Sequence, residues 1–260
     1  PVRVFLAVRN KVMRHADAFV AICDDLATEL VSSGIDSEAI HPIPNSVDTH
    51  RFRPVDQHAK LLLRSRLELP QEDTIITYTG RLVSYKGLPL LLDVWTELQR
   101  RQKNLSLLLL GSGGLDMHNC EAELKEYVSS HCLQDSVLFA GDVRNVHEYL
   151  QASDIFVFPT ESDAFPLALV EAMACGLPAV STPVGGIKDI ITHMHDGILV
   201  KTGDYRQTID ALNALIRDTA LAAQLGGAAV QTVQDRYSAT QVTQQYITLF
   251  TEIANLSGKR

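Results

Sequence analysis

Two hydrophobic patterns alternate along the chain from residue 73 onward. Short apolar or β-branched runs, such as the Leu-Ser-Leu-Leu-Leu-Leu segment at 105–110, predict buried strands. Longer segments, such as 88–99, carry leucines and a tryptophan at helical spacing and predict amphipathic helices. The predicted strands are 74–79, 105–110, 136–140, 154–158, 178–181 and 197–200. The predicted helices are 88–99, 121–132, 146–152, 167–175 and 187–192.

This alternation predicts an α/β fold, a Rossmann-like doubly wound parallel sheet. Strands that are buried on both faces and separated by helices belong to right-handed βαβ units. Ligands of such a sheet bind outside the carboxyl ends of its strands. Glycines follow most of those ends, where a ligand needs close approach to the backbone. They include Gly80, Gly111, Gly113, Gly141, Gly185 and Gly186.

The two ends of the chain depart from this central pattern. Residues 18–43 predict one strand–helix–strand unit, and the passage 42–54, with three prolines, is typical of a linker. Residues 205–255 predict two or three further helices. A piece of a second folding unit is therefore expected to precede the main α/β domain.

Composition narrows the class of protein. The chain has 260 residues, 46% of them apolar, and a formal net charge of −8. The apolar content argues against disorder, and the acidic balance argues against a nucleic-acid partner. Four widely spaced cysteines form no Cys-x-x-Cys pair, which favours a reducing cytosol over a zinc site or a disulfide framework. No apolar run is long enough to span a bilayer.

The first candidate site is the loop 80–87, which follows a predicted strand and precedes a helix. Arg81 and Lys86 place two cations at the ligand-binding edge. An arginine fork and a lysine point charge suit a diphosphate, and both can stabilise a leaving phosphate as its charge develops. The alternative is that they are two ordinary surface cations.

The second candidate site is the segment 161–171, which joins a buried strand to a helix. The first backbone amides of that helix lack intrahelical acceptors, and the helix dipole favours an anion there. Asp163 in the loop and Glu171 in the helix can accept hydrogen bonds from sugar or ribose hydroxyls. The alternative treats Glu171 as a first-turn acid that stabilises the helix, and Asp163 as a loop acid.

Other patterns are weaker. The glycine-rich stretch 111–114 lacks both the Gly-x-Gly-x-x-Gly fingerprint and the Lys-Ser/Thr of a P-loop. His193 and His195 are more typical of solvated loop residues than of a metal pair. No Gly-x-Ser-x-Gly, His-Glu-x-x-His or Asp-x-Asp sequence occurs, so neither a serine nucleophile nor a metal is indicated.

Taken in order, several motifs resemble the C-terminal half of the family 4 glycosyltransferases, also called glycosyl transferases group 1, which have the two-domain GT-B fold. The resemblance covers nearly the whole chain. Its segments are 14–21, 43–54 with Asn45, Asp48, Phe52 and Pro54, 80–87, 152–159, 165–178 and 183–186.

The resemblance implies roles for the four residues predicted to be catalytic. Arg81 and Lys86 match the cationic pair on the donor diphosphate. Glu171 matches the second acid of the family's Glu-x7-Glu motif, which holds the donor ribose. The first acid, which contacts donor-sugar hydroxyls, falls on Asp163; aspartate is one methylene shorter, which puts the identity of the sugar in doubt.

The resemblance also implies a donor-binding set around those four residues. Val143 matches a position against the base, and Pro166 stands where glycine is frequent, which removes one amide donor. The full set is Gly80, Gly111, Val143, Phe165, Pro166, Leu167 and Ala168. The implied reaction retains the anomeric configuration and uses no metal and no cofactor.

The implied domain organisation divides the chain into three parts. Residues 1–54 would be the end of an acceptor-side N-terminal domain with the linker. Residues 55–235 would bind the nucleotide sugar, and 236–260 would be a helix that packs back toward the N-terminal domain. The rest of that domain would precede Pro1, so weak donor binding and poor transfer are expected of this chain.

The expected partners are a UDP- or GDP-sugar donor and a glycan, lipid or small-molecule acceptor, with no nucleic acid. The expected location is the cytoplasm, with peripheral membrane contact through the N-terminal domain. Two alternatives stay open: a non-catalytic nucleotide-sugar-binding or interaction module, and a sugar phosphorylase or epimerase on the same fold.

Overall fold

The structure is a computed structural model that describes residues 16–257. Residues 1–15 lie outside the described residues, and with them the first part of the predicted domain 1–54 and the Arg14-His15 part of the resemblance. Side chains are described through residue 255.

The described chain begins with a small β-α-β unit. Strand β1 (Phe19–Ala21) pairs in parallel with β2 (Ile40–Pro42), and helix α1 (Asp24–Ser32) joins them. The short 3₁₀ turn Ser37–Ala39 leads into β2 and is capped by the carboxylate of Asp36. The unit agrees with the predicted strand–helix–strand pattern.

A second, six-stranded parallel sheet forms the centre of the molecule. Its strands lie in the order β5-β4-β3-β6-β7-β8, so the chain winds outward from β3 and then returns to the other side at β6. This order confirms the predicted Rossmann-like doubly wound sheet, whose crevice opens where the winding reverses. The strands are β3 (Thr74–Thr79), β4 (Leu105–Leu110), β5 (Val137–Gly141), β6 (Ile155–Phe158), β7 (Ala179–Ser181) and β8 (Ile198–Leu199).

Helices cover both faces of this sheet. The core beneath them is apolar: Ile76, Trp95, Phe156 and Leu212 are fully buried. None of the helices within residues 16–257 combines the length and the apolar character that crossing a membrane requires. The helices are α2 (Gln57–Arg66), α3 (Leu88–Arg101), α4 (Glu121–Ser130), α5 (Val146–Ala152), α6 (Leu167–Ala174), α7 (Ile187–Ile190), α8 (Tyr205–Arg217), α9 (Thr219–Arg236) and α10 (Ala239–Ser257).

Helix α10 packs on the small β-α-β unit. Val242 and Leu249 form a buried cluster with Ile43, which follows β2. The linker is bonded to the start of α10, because Val47 accepts from the amide of Ala239 at 3.0 Å and donates to the Tyr237 carbonyl at 2.9 Å. The last helix therefore ties the linker and the β1–β2 unit to the central domain.

Helix α2 is the element that the hydrophobic pattern did not predict. Leu61 and Leu62 are exposed and Leu63 is half-buried. The residue that the helix buries is Arg64, which is 4% exposed. The Arg64 guanidinium donates to the carbonyls of Ala152, Gln71 and Asp73 at 2.9–3.1 Å, and to the Asp154 carboxylate at 2.6 Å. A polar anchor of this kind leaves no apolar stripe in the sequence, which is why the helix was missed.

Asp154 completes this anchor at the start of β6. Its carboxylate also accepts from the Ile75 amide at 2.7 Å and from Lys60 Nζ at 2.8 Å. One acid thus joins α2, β3 and β6 at the amino-terminal edge of the sheet. Because the guanidinium also donates to three carbonyls, its removal leaves several polar groups without partners.

We predict that Arg64→Leu lowers the free energy of unfolding by about 3–5 kcal/mol, the range for breaking a buried ion pair. Urea unfolding followed by circular dichroism measures the change. Arg66→Leu is the matched control, because Arg66 lies on the same helix and pairs with Glu148 from a side chain that is 60% exposed. The control is expected to lose at most about 1 kcal/mol. Equal losses in the two variants would contradict the anchoring role of Arg64.

Candidate functional site

A cleft of about 610 Å³ opens at the carboxyl ends of β3, β4 and β5 and against the start of α6. This is the edge where the doubly wound topology predicts ligand binding. Six of the predicted site residues line it: Gly80, Arg81, Gly111, Val143, Ala168 and Glu171.

Glycine at the end of β4 allows the floor of this cleft to close. Gly111 has φ of +123°, and a Cβ there would lie 2.0 Å from the carbonyl oxygen of Gly80. Any side chain at 111 would push the loops after β3 and β4 apart. The glycine therefore lets the backbone itself form part of the cleft wall.

Arg81 projects into the cleft with its guanidinium paired. It donates to the carboxylate of Asp116 and to the hydroxyl of Tyr85, the latter at 2.5 Å. Its side chain is nevertheless 59% exposed, so the guanidinium stays accessible to a ligand. Neither Asp116 nor Tyr85 was predicted from the sequence, because a loop acid and a loop tyrosine carry no signal of their own.

Lys86 and Asp163 form an ion pair, and neither residue lines the cleft. Lys86 is 7% exposed, and its Nζ donates to Asp163 Oδ2 at 2.7 Å and to the Ser162 carbonyl at 3.1 Å. Asp163 Oδ1 accepts from the amide of Phe165 at 3.1 Å. The pair joins the loop after β3 to the loop that leads into α6.

The three residues at the entry to α6, Phe165, Pro166 and Leu167, lie in different surroundings. Phe165 is buried, and its ring packs edge-on against Tyr237 with centroids 5.7 Å apart, beside a separate pocket of about 260 Å³. Pro166 is the buried N-cap of the helix, and Leu167 is exposed. Of the predicted stretch 165–168, only Ala168 therefore lines the cleft.

Glu171 lies in the second turn of α6 with its side chain largely buried at the cleft. The first turn of this helix carries no acid, so the alternative of a first-turn stabilising acid is wrong. Burial raises the pKa of Glu171 to about 7, and the charge of Arg51 partly opposes that rise. A carboxyl group whose pKa is raised by burial at a cleft is a marker of a binding site.

Thr79 is a cleft residue that was missed. It ends β3 and is 4% exposed, yet its hydroxyl is the one buried side-chain polar atom without a hydrogen-bond partner among residues 16–255. An unpaired buried hydroxyl costs about 1–3 kcal/mol, which a ligand's polar group can offset. In the sequence the threonine looks like any strand residue.

Two further contacts shape the walls. Glu121, at the start of α4, accepts from the amide of Gly113 at 2.9 Å and fixes the glycine-rich loop. Arg51 reaches from the linker and donates to the Arg144 carbonyl at 2.7 Å and to His147 Nδ1 at 3.1 Å. The linker thus supports the loop after β5 that carries Val143.

The weaker histidine candidates lie away from the cleft. His193 Nδ1 accepts from the Leu199 amide at 3.0 Å, and His195 is exposed. Over the part of the chain that the structure describes, no three acidic, histidine or cysteine side chains are grouped as metal ligands would be.

The raised pKa of Glu171 predicts a pH-dependent stability. The folded protein favours the protonated form of the Glu171 carboxyl. This contribution to the free energy of unfolding is fully present below the ordinary pKa of 4.5, and it is lost as the pH rises through the raised pKa of about 7. Glu171→Gln does not titrate, so its stability relative to the wild type should increase by about 3 kcal/mol between pH 4.5 and 8. Urea unfolding at several pH values measures this.

The control for this comparison is Glu161→Gln. Glu161 lies in the same segment and is exposed, so its substitution should change the free energy of unfolding by less than about 0.5 kcal/mol at each pH. A Glu171→Gln difference that does not vary with pH would show that Glu171 ionises as freely as in the unfolded chain.

Comparison with known proteins identifies the family. The chain matches the family model described as glycosyl transferases group 1 over residues 60–232. It is 31% identical over 226 residues to the D-inositol 3-phosphate glycosyltransferase of Xylanimonas cellulosilytica, covering 85% of this chain and 53% of the relative. It is 25% identical over 241 residues to the N-acetyl-alpha-D-glucosaminyl L-malate synthase of Bacillus anthracis, covering 93% and 61%. The chain thus spans little more than half the length of these relatives.

Solved structures share the architecture. Anabaena HepE in complex with UDP-glucose superimposes with a TM-score of 0.85 at 21% identity, covering 95% of this chain and 67% of that one. Sucrose-phosphate synthase from Thermosynechococcus elongatus superimposes with a TM-score of 0.83 at 25% identity, covering 98% and 62%. These likenesses confirm the fold class, the Rossmann-like sheet of a GT-B half. With the family model spanning most of its length, the chain belongs to the glycosyl transferases group 1 family.

Proposed function

We propose that this chain is the donor-binding part of a retaining, metal-independent glycosyltransferase that moves a sugar from a nucleoside-diphosphate sugar to an acceptor hydroxyl. The observation that carries the proposal is the cleft itself. It combines an accessible guanidinium at Arg81, a buried hydroxyl without a partner at Thr79 and a largely buried carboxyl at Glu171. These are the groups that a phosphate and a polyhydroxylated ligand need.

In this proposal the donor diphosphate lies between Arg81 and the start of α6. The first turn of α6 leaves the amides of Leu167 and Ala168 without intrahelical acceptors, and the helix dipole adds partial positive charge there. As the bond to the sugar breaks, negative charge develops on the leaving diphosphate. The fork of Arg81 and these amides stabilise that charge, which lowers the barrier. The leaving diphosphate in turn helps to activate the acceptor hydroxyl.

The nucleoside occupies the inner end of the cleft in the same proposal. Glu171 accepts hydrogen bonds from the ribose hydroxyls, and Val143 lies against the base. Because Gly80 and Gly111 have no side chains, the nucleoside can approach the backbone closely at these two positions. The relative HepE was solved with UDP-glucose, which supports a nucleotide-sugar donor, UDP- or GDP-linked, for this chain.

Lys86 and Asp163 both contact the donor in the proposal. Resemblance assigns Lys86 to the diphosphate and Asp163 to donor-sugar hydroxyls. Lys86 and Asp163 neutralise each other in an ion pair, so a donor that engages either residue has to exchange its own groups for this contact. The shorter aspartate reaches the sugar only if the loop 161–165 stays close to the cleft, as the Lys86 contact keeps it.

The predicted domain organisation is part of the proposal. Residues 1–54 are the end of the acceptor-side domain with the linker, residues 55–235 bind the nucleotide sugar, and the helix of residues 236–260 packs back toward the acceptor side. The acceptor, a glycan, lipid or small molecule, binds on the acceptor side. The cytoplasmic location, with peripheral membrane contact through the N-terminal domain, stays a prediction.

We predict that Arg81→Gln weakens the binding of UDP or GDP by roughly 10- to 100-fold, because a charge-assisted hydrogen bond contributes about 1.5–3 kcal/mol. Isothermal titration calorimetry on the isolated chain measures the dissociation constants. Arg100→Gln is the control, because Arg100 is a cation on α3 whose side chain is 73% exposed. Equal affinities of the wild type and Arg81→Gln would remove Arg81 from the donor site.

We predict that the isolated chain transfers sugar poorly or not at all, while a longer protein that includes a complete acceptor side turns over. Product formation by both proteins, with nuclear magnetic resonance of the anomeric proton, tests this. A product with inverted anomeric configuration would refute the retaining mechanism. Robust turnover by the isolated chain would refute the proposal that transfer needs a complete acceptor side. Donor binding by the longer protein without any transfer would favour the non-catalytic module.

A further inference from the structure

We propose that Asp116 is an internal competitor of the donor diphosphate for Arg81, and that it sets the affinity of the cleft for phosphorylated ligands. This inference rests on the proposed function, since it concerns the same site. The carboxylate of Asp116 pairs with the guanidinium of Arg81 inside the cleft, and both residues line it. An anion of the protein therefore occupies the cation that a diphosphate needs.

The Asp116 carboxylate is held in place by its own loop. Its Oδ1 accepts from the amide of His118 at 2.9 Å, and its side chain is 15% exposed, against 59% for Arg81. The more exposed partner of the pair is thus the arginine. A ligand can take the guanidinium while Asp116 keeps its hydrogen bond to the backbone.

The loop that carries Asp116 is firmly attached to the loop that carries Arg81. Leu82 donates to the Ser112 carbonyl at 2.9 Å, Ser84 donates to the His118 carbonyl at 2.9 Å, and Cys120 donates to the Leu82 carbonyl at 3.0 Å. These backbone bonds keep Asp116 within reach of Arg81 whether or not the guanidinium is paired. The competition is therefore built into the fold.

The charges around the cleft make this competition matter. Among the residues that line it, Arg81 is the one cation, while Asp116, Asp142 and Glu171 are acids. A diphosphate adds further negative charge to this set. Because Asp116 both neutralises Arg81 and repels phosphate, it weakens binding of the charged ligand and favours release of the nucleoside diphosphate product.

The test is the affinity of Asp116→Asn for nucleoside diphosphate. Asparagine keeps the oxygen that accepts from His118 and removes the charge, so the loop should keep its shape. We expect UDP or GDP, and inorganic pyrophosphate, to bind roughly two- to fivefold more tightly, a gain of the size that an exposed ion pair is worth. Uridine and guanosine, which carry no phosphate, should bind as they do to the wild type.

Two comparisons separate competition from a general charge effect. Asp142→Asn removes another cleft carboxylate, which bonds to Ser112 at 3.0 Å and does not contact Arg81, so its gain should be smaller. In an Arg81→Gln background, Asp116→Asn should lose most of its effect, which a double-mutant cycle by calorimetry measures.

Tighter diphosphate binding that depends on Arg81 supports the inference. Unchanged or weaker binding in Asp116→Asn, with a wild type that does bind, would overturn it, because Asp116 would then merely orient Arg81. A wild type and variants that all fail to bind any nucleotide or pyrophosphate would overturn the proposed donor site, and the inference with it. Thermal melting of each variant confirms that the fold is kept.

Discussion

The geometry of the cleft depends on the ion pair between Lys86 and Asp163, which spans the point where the winding of the sheet reverses. It connects the loop after β3 to the loop that precedes α6. Asp163 also bonds to the Phe165 amide, and Gly186 donates to the Ala164 carbonyl at 2.9 Å, so the start of α6 is held from both sides. Since α6 carries Ala168 and Glu171 into the cleft, their position follows from this tie.

The contrast between the two predicted acids comes from their surroundings. Asp163 lies in a polar loop with a lysine and a backbone amide as partners, so its charge is compensated. Glu171 lies on a mostly buried helix, where desolvation raises its pKa to about 7. Residue type alone could not separate them. The partners of each side chain do, and those partners are set by the packed structure.

The sequence predicted the central sheet well because its strands are apolar on both faces, so that each appears as a continuous run such as 105–110. It predicted Arg81, Gly111 and Glu171 at the cleft because parallel topology places the segments that follow the strands at one edge. It missed α2, whose anchor is the polar Arg64. It also missed Asp116, because a long-range pair between loops has no periodicity to detect.

In the proposed function, a chain with a formal charge of −8 binds a dianionic donor. The cleft reduces its own negative charge in two ways. Burial makes Glu171 reluctant to ionise, and the contact with Arg81 neutralises Asp116. The two effects act on the ligand in opposite directions. A neutral Glu171 repels the diphosphate less, whereas Asp116 occupies the guanidinium of Arg81 that the diphosphate needs. Affinity for a diphosphate is then the balance of the two, which allows the product to leave as well as the donor to enter.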